Sequence, residues 1–538
     1  MKISYQKLQL PAIFSDGMVL QRDQQIAVFG LATPGSKVSV TLKMNSGTAD
    51  ALATTQTSAA GRWRALLPER PAGGPYSLNV TDSTTELSFG DVFIGEVWLA
   101  GGQSNMELPL SGSEDGDKAV AASANPFLHF YEVRKTGWID DDFLAEERRN
   151  SWQVSSPETT AQKSAVAYYY ARHLQQRLGV HVGIIDCYCG GTSISCWMSK
   201  ERLASTPAGQ RYLDDYEKKI VGQTDEEYDR IASSYQKKFD AWNADVARIK
   251  EADPTVSWET IESQIGACPW PPPAGRKSMY RPAGLYSTMV KRVAGYGLHG
   301  VLWYQGEEDE QRSSDYRTML GCLIAEWRDA WNSSSLPFII TQLPRWISKA
   351  DYESNADSGS WAILRQAQFD VAHDIKHTYL TVTIDCGEFN NIHPIDKSTV
   401  GSRLALTALA KIYGCSGVES EGPRLHSARL QLCDGVPSIN LEFTHSTELA
   451  FGHWNDEADG EEKNPSERSA QASGFEIAGD SGIFVPVSAS IHGSSVILEE
   501  PSIPDPYFVR YAWKNWGPAP LFNGQSLPAA PFCIRLSH

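Results

Sequence analysis

Two glycines and a serine, in the run Gly101-Gly102-Gln103-Ser104, follow the apolar stretch 92–100. A serine at the exit of a buried strand presents its hydroxyl instead of packing it, and an unpacked hydroxyl is what a nucleophile requires. Turn statistics alone read the same residues as an ordinary Gly/Ser/Asn turn. Met106 also rules out the G-x-S-x-G elbow. Three further segments end apolar runs: Cys189-Gly190-Gly191-Thr192-Ser193, Trp303-Tyr304-Gln305-Gly306-Glu307-Glu308-Asp309 and Asn390-Asn391-Ile392-His393-Pro394. Singly, they read as a turn, a solvated acidic loop and a loop histidine. Jointly they offer a hydroxyl, an imidazole, backbone N–H groups and a neutral amide, the set needed to attack an ester carbonyl and hold the resulting oxyanion.

These segments need a frame that brings their ends together. Apolar runs at 92–100, 182–187, 300–304, 338–342 and 379–384 read as strands. Between them, Ser164 is placed to cap a helix ending at Gly179, and 362–373 and 398–413 show helical periodicity. Such alternation predicts a mostly parallel sheet with helices on both faces, whose ligands sit beyond the carboxyl ends of the strands. Residues 1–91 carry short apolar runs broken by Pro and Gly, predicting an N-terminal β-sandwich-like domain. The α/β domain then spans 92–420, and a β-rich domain spans 421–538. Within 200–280 lies a helical insertion. Its apolar stripe Tyr228, Ile231, Tyr235, Phe239, Trp242, Val246 and Ile249 reads as core or a hairpin seam. The stiff Cys268-Pro269-Trp270-Pro271-Pro272-Pro273 follows, and its Trp270 reads equally as structural or as lining a sugar site.

A net charge of −17 over 538 residues argues against nucleic acid and anionic membranes as partners. Nine cysteines without paired C-x-x-C spacing read as buried thiols, so no metal site is expected. The first eleven residues lack an apolar leader core, and no apolar run reaches 18 residues, which leads to the expectation of a cytoplasmic protein. No stripe or heptad array indicates an oligomeric state.

In order along the chain, Phe14-Ser15-Asp16-Gly17-Met18-Val19-Leu20-Gln21-Arg22, Gly95-Glu96-Val97-Trp98, Gly102-Gln103-Ser104-Asn105-Met106-Glu107, Gly190-Gly191-Thr192, Leu285-Tyr286, Trp303-Tyr304-Gln305-Gly306-Glu307, Ile392-His393-Pro394 and Val509-Arg510-Tyr511-Ala512-Trp513 resemble the signatures of the sialate O-acetylesterase family, in the SGNH hydrolase superfamily. The resemblance implies a flavodoxin-like three-layer α/β/α esterase domain with flanking β domains, acting on acetylated carbohydrate without a cofactor. It implies Ser104 as nucleophile and His393 as general base. The N–H groups of Ser104 and Gly191 and the Gln305 side chain would form the oxyanion hole. The family's usual acid is replaced here by Asn390 or Asn391. Two accounts stand: Glu388 or Glu307 orients the imidazole, or a backbone carbonyl or Asn391 orients it and Ser104 works with His393 as a dyad. A third leaves a catalytically impaired glycan-binding protein. Similar sequences also resemble esterases of acetylated xylan or xyloglucan, so the sugar stays open. The run Glu307-Glu308-Asp309 is expected to add negative charge near the site.

Overall fold

The computed structural model describes residues 7–44, 49–253, 256–433, 436–452, 467–499, 503 and 506–536. Six strands come first: β1 (Val19–Gln21), β2 (Ile26–Leu31), β3 (Lys37–Met44), β4 (Ala49–Gln56), β5 (Arg62–Leu67) and β6 (Gly73–Thr81). Two-residue alternation turns Val38, Val40 and Leu42 of β3 and Trp63, Ala65 and Leu67 of β5 inward, and all are buried.

The seventh strand, β7 (Glu86–Gly102), decides the architecture. Its first half pairs antiparallel with β6, Glu86 opposite Thr81 and Val92 opposite Tyr76. Its second half joins a sheet completed by β8 (Asn125–Glu132), β9 (Gln153–Ser155), β10 (Val182–Tyr188), β11 (Gly300–Tyr304), β12 (Phe338–Thr341) and β13 (Thr378–Thr381). The order is β13-β12-β11-β7-β10-β8-β9, parallel except for the last pair. The boundary expected between 91 and 92 therefore falls inside one strand. The residues on its two sides share one hydrophobic core, from Leu8 to Leu409. The N-terminal strands are therefore not self-contained: β1, β3, β4 and β6 continue the main sheet through β7, while β2 and β5 pair with each other as a separate two-stranded sheet.

Helices cover the sheet where their signals lay. Ser164 Oγ accepts from Ala167 N to open the helix Ala165–Leu178, which Gly179 closes at φ 68°. The helices Ser360–Asp374 and Lys397–Lys411 follow β12 and β13. Strand β8 carried no readable signal, since Pro126, His129 and Glu132 interrupt its apolar residues.

Past Arg424–Cys433 the strands are antiparallel and enclose a second core, with Leu441, Phe475, Val496, Val509 and Tyr511. Ile384, from the loop after β13, packs into that core. The C-terminal region thereby buttresses the loop that carries His393.

The insertion holds the helices Lys200–Ala204, Pro207–Ile220, Asp225–Ala252 and Trp258–Ile265. Its stripe is not core: Val246 alone is buried in the longest helix, Tyr235, Phe239, Trp242 and Ile249 are half-buried and Ile231 is exposed. The stripe leans on a short neighbour, Trp242 stacking on Trp258 with 6.2 Å between ring centroids and donating to Gly266 O at 2.9 Å, the hairpin seam of the two expected readings. Among the described residues no helix is long and apolar enough to cross a membrane.

Candidate active site

Strand register brings the site together. Gly102 lies opposite both Tyr188 and Tyr304, so the segments starting at Gln103, Cys189 and Gln305 leave the sheet from one line. The strand order also reverses at β7: the chain proceeds from it to β8 and β10 on one side, then crosses to β11 on the other. Crevices at such switch points are where open α/β sheets bind ligands.

Ser104 opens a single helical turn, Ser104–Glu107. Its Oγ lies 2.8 Å from His393 Nε2, brought in by the loop after β13. With Nε2 accepting from the hydroxyl, Nδ1 carries the ring hydrogen. No described residue accepts from it, and both expected orienting acids are corrected. Glu388 accepts from Asn391 Nδ2 at 2.7 Å and from Ile395 N at 2.6 Å, staying within its own loop. Glu307 is buried and accepts from Asn105 Nδ2 at 2.6 Å. The side-chain oxygen of Asn391 accepts from the backbone N of His393 at 3.0 Å, so it shapes the turn beneath the imidazole without touching the ring. Burial first, then the charges of Lys397 and Lys250, push the imidazole down to about 4. Above that pH the ring is neutral and able to take a proton.

The glycine loop is held by Glu107, which accepts from Gly190 N at 2.5 Å and pairs with Lys135. A Cβ at 190 would stand 3.4 Å from Ser104 Cβ, so this backbone runs directly beside the serine. Gly191 adopts φ +65°, and a Cβ there would come within 2.0 Å of the Trp270 ring. Only glycine fits both the dihedral and the space. Trp270 is 41% exposed and forms one wall over this loop.

Gln305 is corrected as an oxyanion donor. It is fully buried, and its Nε2 donates to Asp309 Oδ2 at 2.6 Å, Gln103 Oε1 at 3.1 Å and Thr192 O at 3.2 Å. Two amide hydrogens already face three acceptors. Gln305 instead aligns Gln103, whose Oε1 also faces the N–H groups of Gly306 and Glu308. The Nε2 of Gln103 makes no hydrogen bond among the described residues and sits one residue before Ser104.

The acidic run is mostly internal. Asp309 is buried and accepts from Ser193 Oγ, Ile194 N, Tyr212 OH and Gln305, stitching the second and third loops together. Glu308 alone of the three reaches solvent, and the partial burial of its carboxyl, with Asp309 and Glu307 nearby, pushes it up to about 7. Glu307 and Asp309 thus face inward onto hydrogen-bond donors, and Glu308 is the carboxyl of the run that reaches solvent.

Sequence reasoning passed over Asn105, Glu107 and Lys397 as functional residues. Asn105 and Glu107 stood inside the serine motif, where they offered a signal. Lys397 offered none, because it opens a helix whose other residues show ordinary periodicity. In the structure its ammonium is fully buried and donates to Asn105 Oδ1 at 2.6 Å.

Comparison with known proteins adds to this geometry. Residues 271–410, which include Gln305 and His393, match the family model described as carbohydrate esterase, sialic acid-specific acetylesterase. Sialate O-acetylesterase of Mus musculus is 25% identical over 97% of this chain and 93% of its own length. That of Homo sapiens is 24% identical over 96% and 91%. Among solved structures, a carbohydrate acetylesterase from Xanthomonas citri superposes with a TM-score of 0.71 and 28% identity, covering 98% of this chain and 99% of the other. The chain is thus similar, at low identity and over nearly its whole length, to sialate O-acetylesterases and to a carbohydrate acetylesterase.

Proposed function

We propose that the protein is a carbohydrate O-acetylesterase of the sialate O-acetylesterase kind, an SGNH-type serine hydrolase whose catalytic unit runs from β7 to about residue 420. The observation that carries this reading is the 2.8 Å contact between Ser104 Oγ and His393 Nε2 at the carboxyl edge of the sheet. Ser104 Oγ attacks the acetyl carbonyl while its proton passes to His393 Nε2. The tetrahedral oxyanion is held by the N–H groups of Ser104 and Gly191, with Gln103 Nε2 taking the place first given to Gln305. Collapse breaks the bond to the sugar oxygen, which receives the proton from His393 and leaves as the free hydroxyl. Water, deprotonated by the same imidazole, then attacks the acetyl-serine and releases acetate.

The test is acetate release from acetylated sialosides, xylan fragments and xyloglucan fragments. Release from one class, absent in the Ser104→Ala protein, supports the reading and names the sugar. A folded protein that releases acetate from none would favour the glycan-binding alternative, which has the bare Nδ1 of His393 in its support.

Two further outcomes are expected. The base must be neutral to work, so activity is present above the imidazole's pKa and lost as pH falls through it. The acid limb of kcat/KM should therefore have its midpoint at about 4, well below the ordinary histidine value of about 6.5. A midpoint near the ordinary value would show that the imidazole is neither buried nor faced by cations. Trp270→Ala should raise KM for an acetylated oligosaccharide about tenfold, equivalent to ~1.4 kcal/mol of lost contact. The same substitution should leave kcat/KM for p-nitrophenyl acetate within about threefold, because that ester has no sugar to stack. Equal losses on both substrates would assign Trp270 to holding Gly191 instead.

A further inference from the structure

We propose that Lys397 is a positioning residue for the reaction: through Asn105, and together with Glu307, it braces the Ser104 loop against the His393 loop where a triad carboxylate would otherwise orient the base. The proposal rests on the Ser104–His393 reading above.

The bonds run in one chain. Lys397 Nζ donates to Asn105 Oδ1 at 2.6 Å, and Asn105 Nδ2 donates to Glu307 Oε1 at 2.6 Å and to the Ile392 carbonyl at 2.9 Å. Asn105 follows Ser104, and Ile392 precedes His393. One side chain thus ties the backbone beside the nucleophile to the backbone beside the base. The polarity of the chain has a single solution. An ammonium only donates, while a carboxylate and a peptide carbonyl only accept, so the Asn105 carboxamide can face them in one orientation. Removing the ammonium leaves Asn105 Oδ1 without its donor, so the carboxamide is held on its Nδ2 side alone and the brace between the two loops loosens.

Stability alone does not account for this arrangement. Lys397 is the first residue of its helix, so its ammonium lies at the positive end of the helix dipole as well as in a dry site. Its hydrogen-bond partner is an amide, whereas Glu307 Oε2 and the Tyr304 hydroxyl are buried nearby with no partner. Burial pushes Lys397 down to about 8 and Glu307 upward. The charged or ionisable groups facing Lys397 are Tyr304 at the end of β11, whose ring centroid lies 5.5 Å from the ammonium, Glu307 after it, Cys386, Glu388 and His393 after β13, and Asp396 at its own helix cap. Carboxylates hold the ammonium charged through neutrality, and the brace weakens as pH rises through about 8.

The experiment compares Lys397→Met and Glu307→Gln with wild type. For Lys397→Met, kcat on p-nitrophenyl acetate should drop about 100-fold with KM within about threefold, and the alkaline limb of kcat near pH 8 should disappear. For Glu307→Gln, which keeps volume and an acceptor oxygen, a fall of about tenfold in kcat is expected, with the limb displaced. A folded Lys397→Met protein with kcat within about threefold of wild type and an unchanged pH profile overturns the proposal. If that variant does not fold, an unchanged kcat and profile in Glu307→Gln overturns it. Failure of the esterase reading is separable. If wild type and Ser104→Ala hydrolyse the ester equally, the brace is read from a crystal structure of either variant. The Ser104 Oγ to His393 Nε2 distance should then open beyond about 3.5 Å, and an unaltered distance refutes the brace.

Discussion

Ser104→Ala is expected to yield a folded protein that hydrolyses p-nitrophenyl acetate at least about 10⁴-fold more slowly than wild type. The hydroxyl's hydrogen-bond partner is His393 Nε2, and Ser104 is only half-buried. Deleting one oxygen there leaves no large cavity but takes the partner from His393 Nε2, so the stability change should stay within about 1 kcal/mol. What vanishes is the atom proposed to form the acetyl-enzyme. Donors at Ser104 N and Gly191 N remain, and their residual acceleration over water sets the floor of the measurement. The check is kcat together with a thermal melt. Equal rates for the two proteins would remove Ser104 from the mechanism, whatever its distance to the imidazole.

Gly191→Ala should be the most damaging single methyl in the protein's glycine loop, lowering kcat by about 10² to 10³, the effect of losing one oxyanion donor. Two costs coincide. Alanine at φ +65° is unfavourable by roughly 1–2 kcal/mol. Its Cβ would also meet the Trp270 ring at 2.0 Å, a separation that forces the loop or the indole to move. Either response turns the Gly191 N–H away from the acetyl oxygen. Gly190→Ala is the control, since a Cβ there meets Glu107 at 3.3 Å and Ser104 at 3.4 Å, and no positive φ is involved. It should be much milder. Adding Trp270→Ala to Gly191→Ala removes the collision but not the dihedral cost, so partial recovery of kcat would apportion the two. Full activity in Gly191→Ala would exclude that N–H from the oxyanion hole.

The central strands, the Ser164 and Gly179 helix boundaries and the four site loops were legible from residue order, because each rests on a local cause. A buried parallel strand is a short apolar run, a capped helix ends in a serine and a glycine, and a loop after a strand is wherever that run stops. Strand β8 was illegible because Pro126, His129 and Glu132 break the run, and its neighbours in the sheet supply the burial that its own composition does not announce. The division at residue 91 failed for a related reason. Apolar periodicity shows that a strand is buried but not by what, and β7 is buried first by β6 and then by β10 and β11.

For the site, residue type indicated which groups could react, and position after a strand indicated which loops could meet. Serine, glycine and histidine at strand ends were readable on those grounds. The tertiary structure alone decided which donors and acceptors are already occupied. Gln305 looked free to hold an oxyanion, yet Asp309, Gln103 and Thr192 consume its hydrogens. Glu388 and Glu307 looked able to reach an imidazole, yet their oxygens serve Asn391, Ile395 and Asn105. Lys397 lay just outside the helix read over 398–413 and drew no reading, yet it is buried with its ammonium on the residue next to Ser104. A hydrogen-bond donor serves few partners at once, and partners nearly 300 residues apart in the chain are set by folding, not by spacing. Chemistry was therefore written into residue type and local order, while the assignment of each polar atom to its partner existed only after the loops had converged.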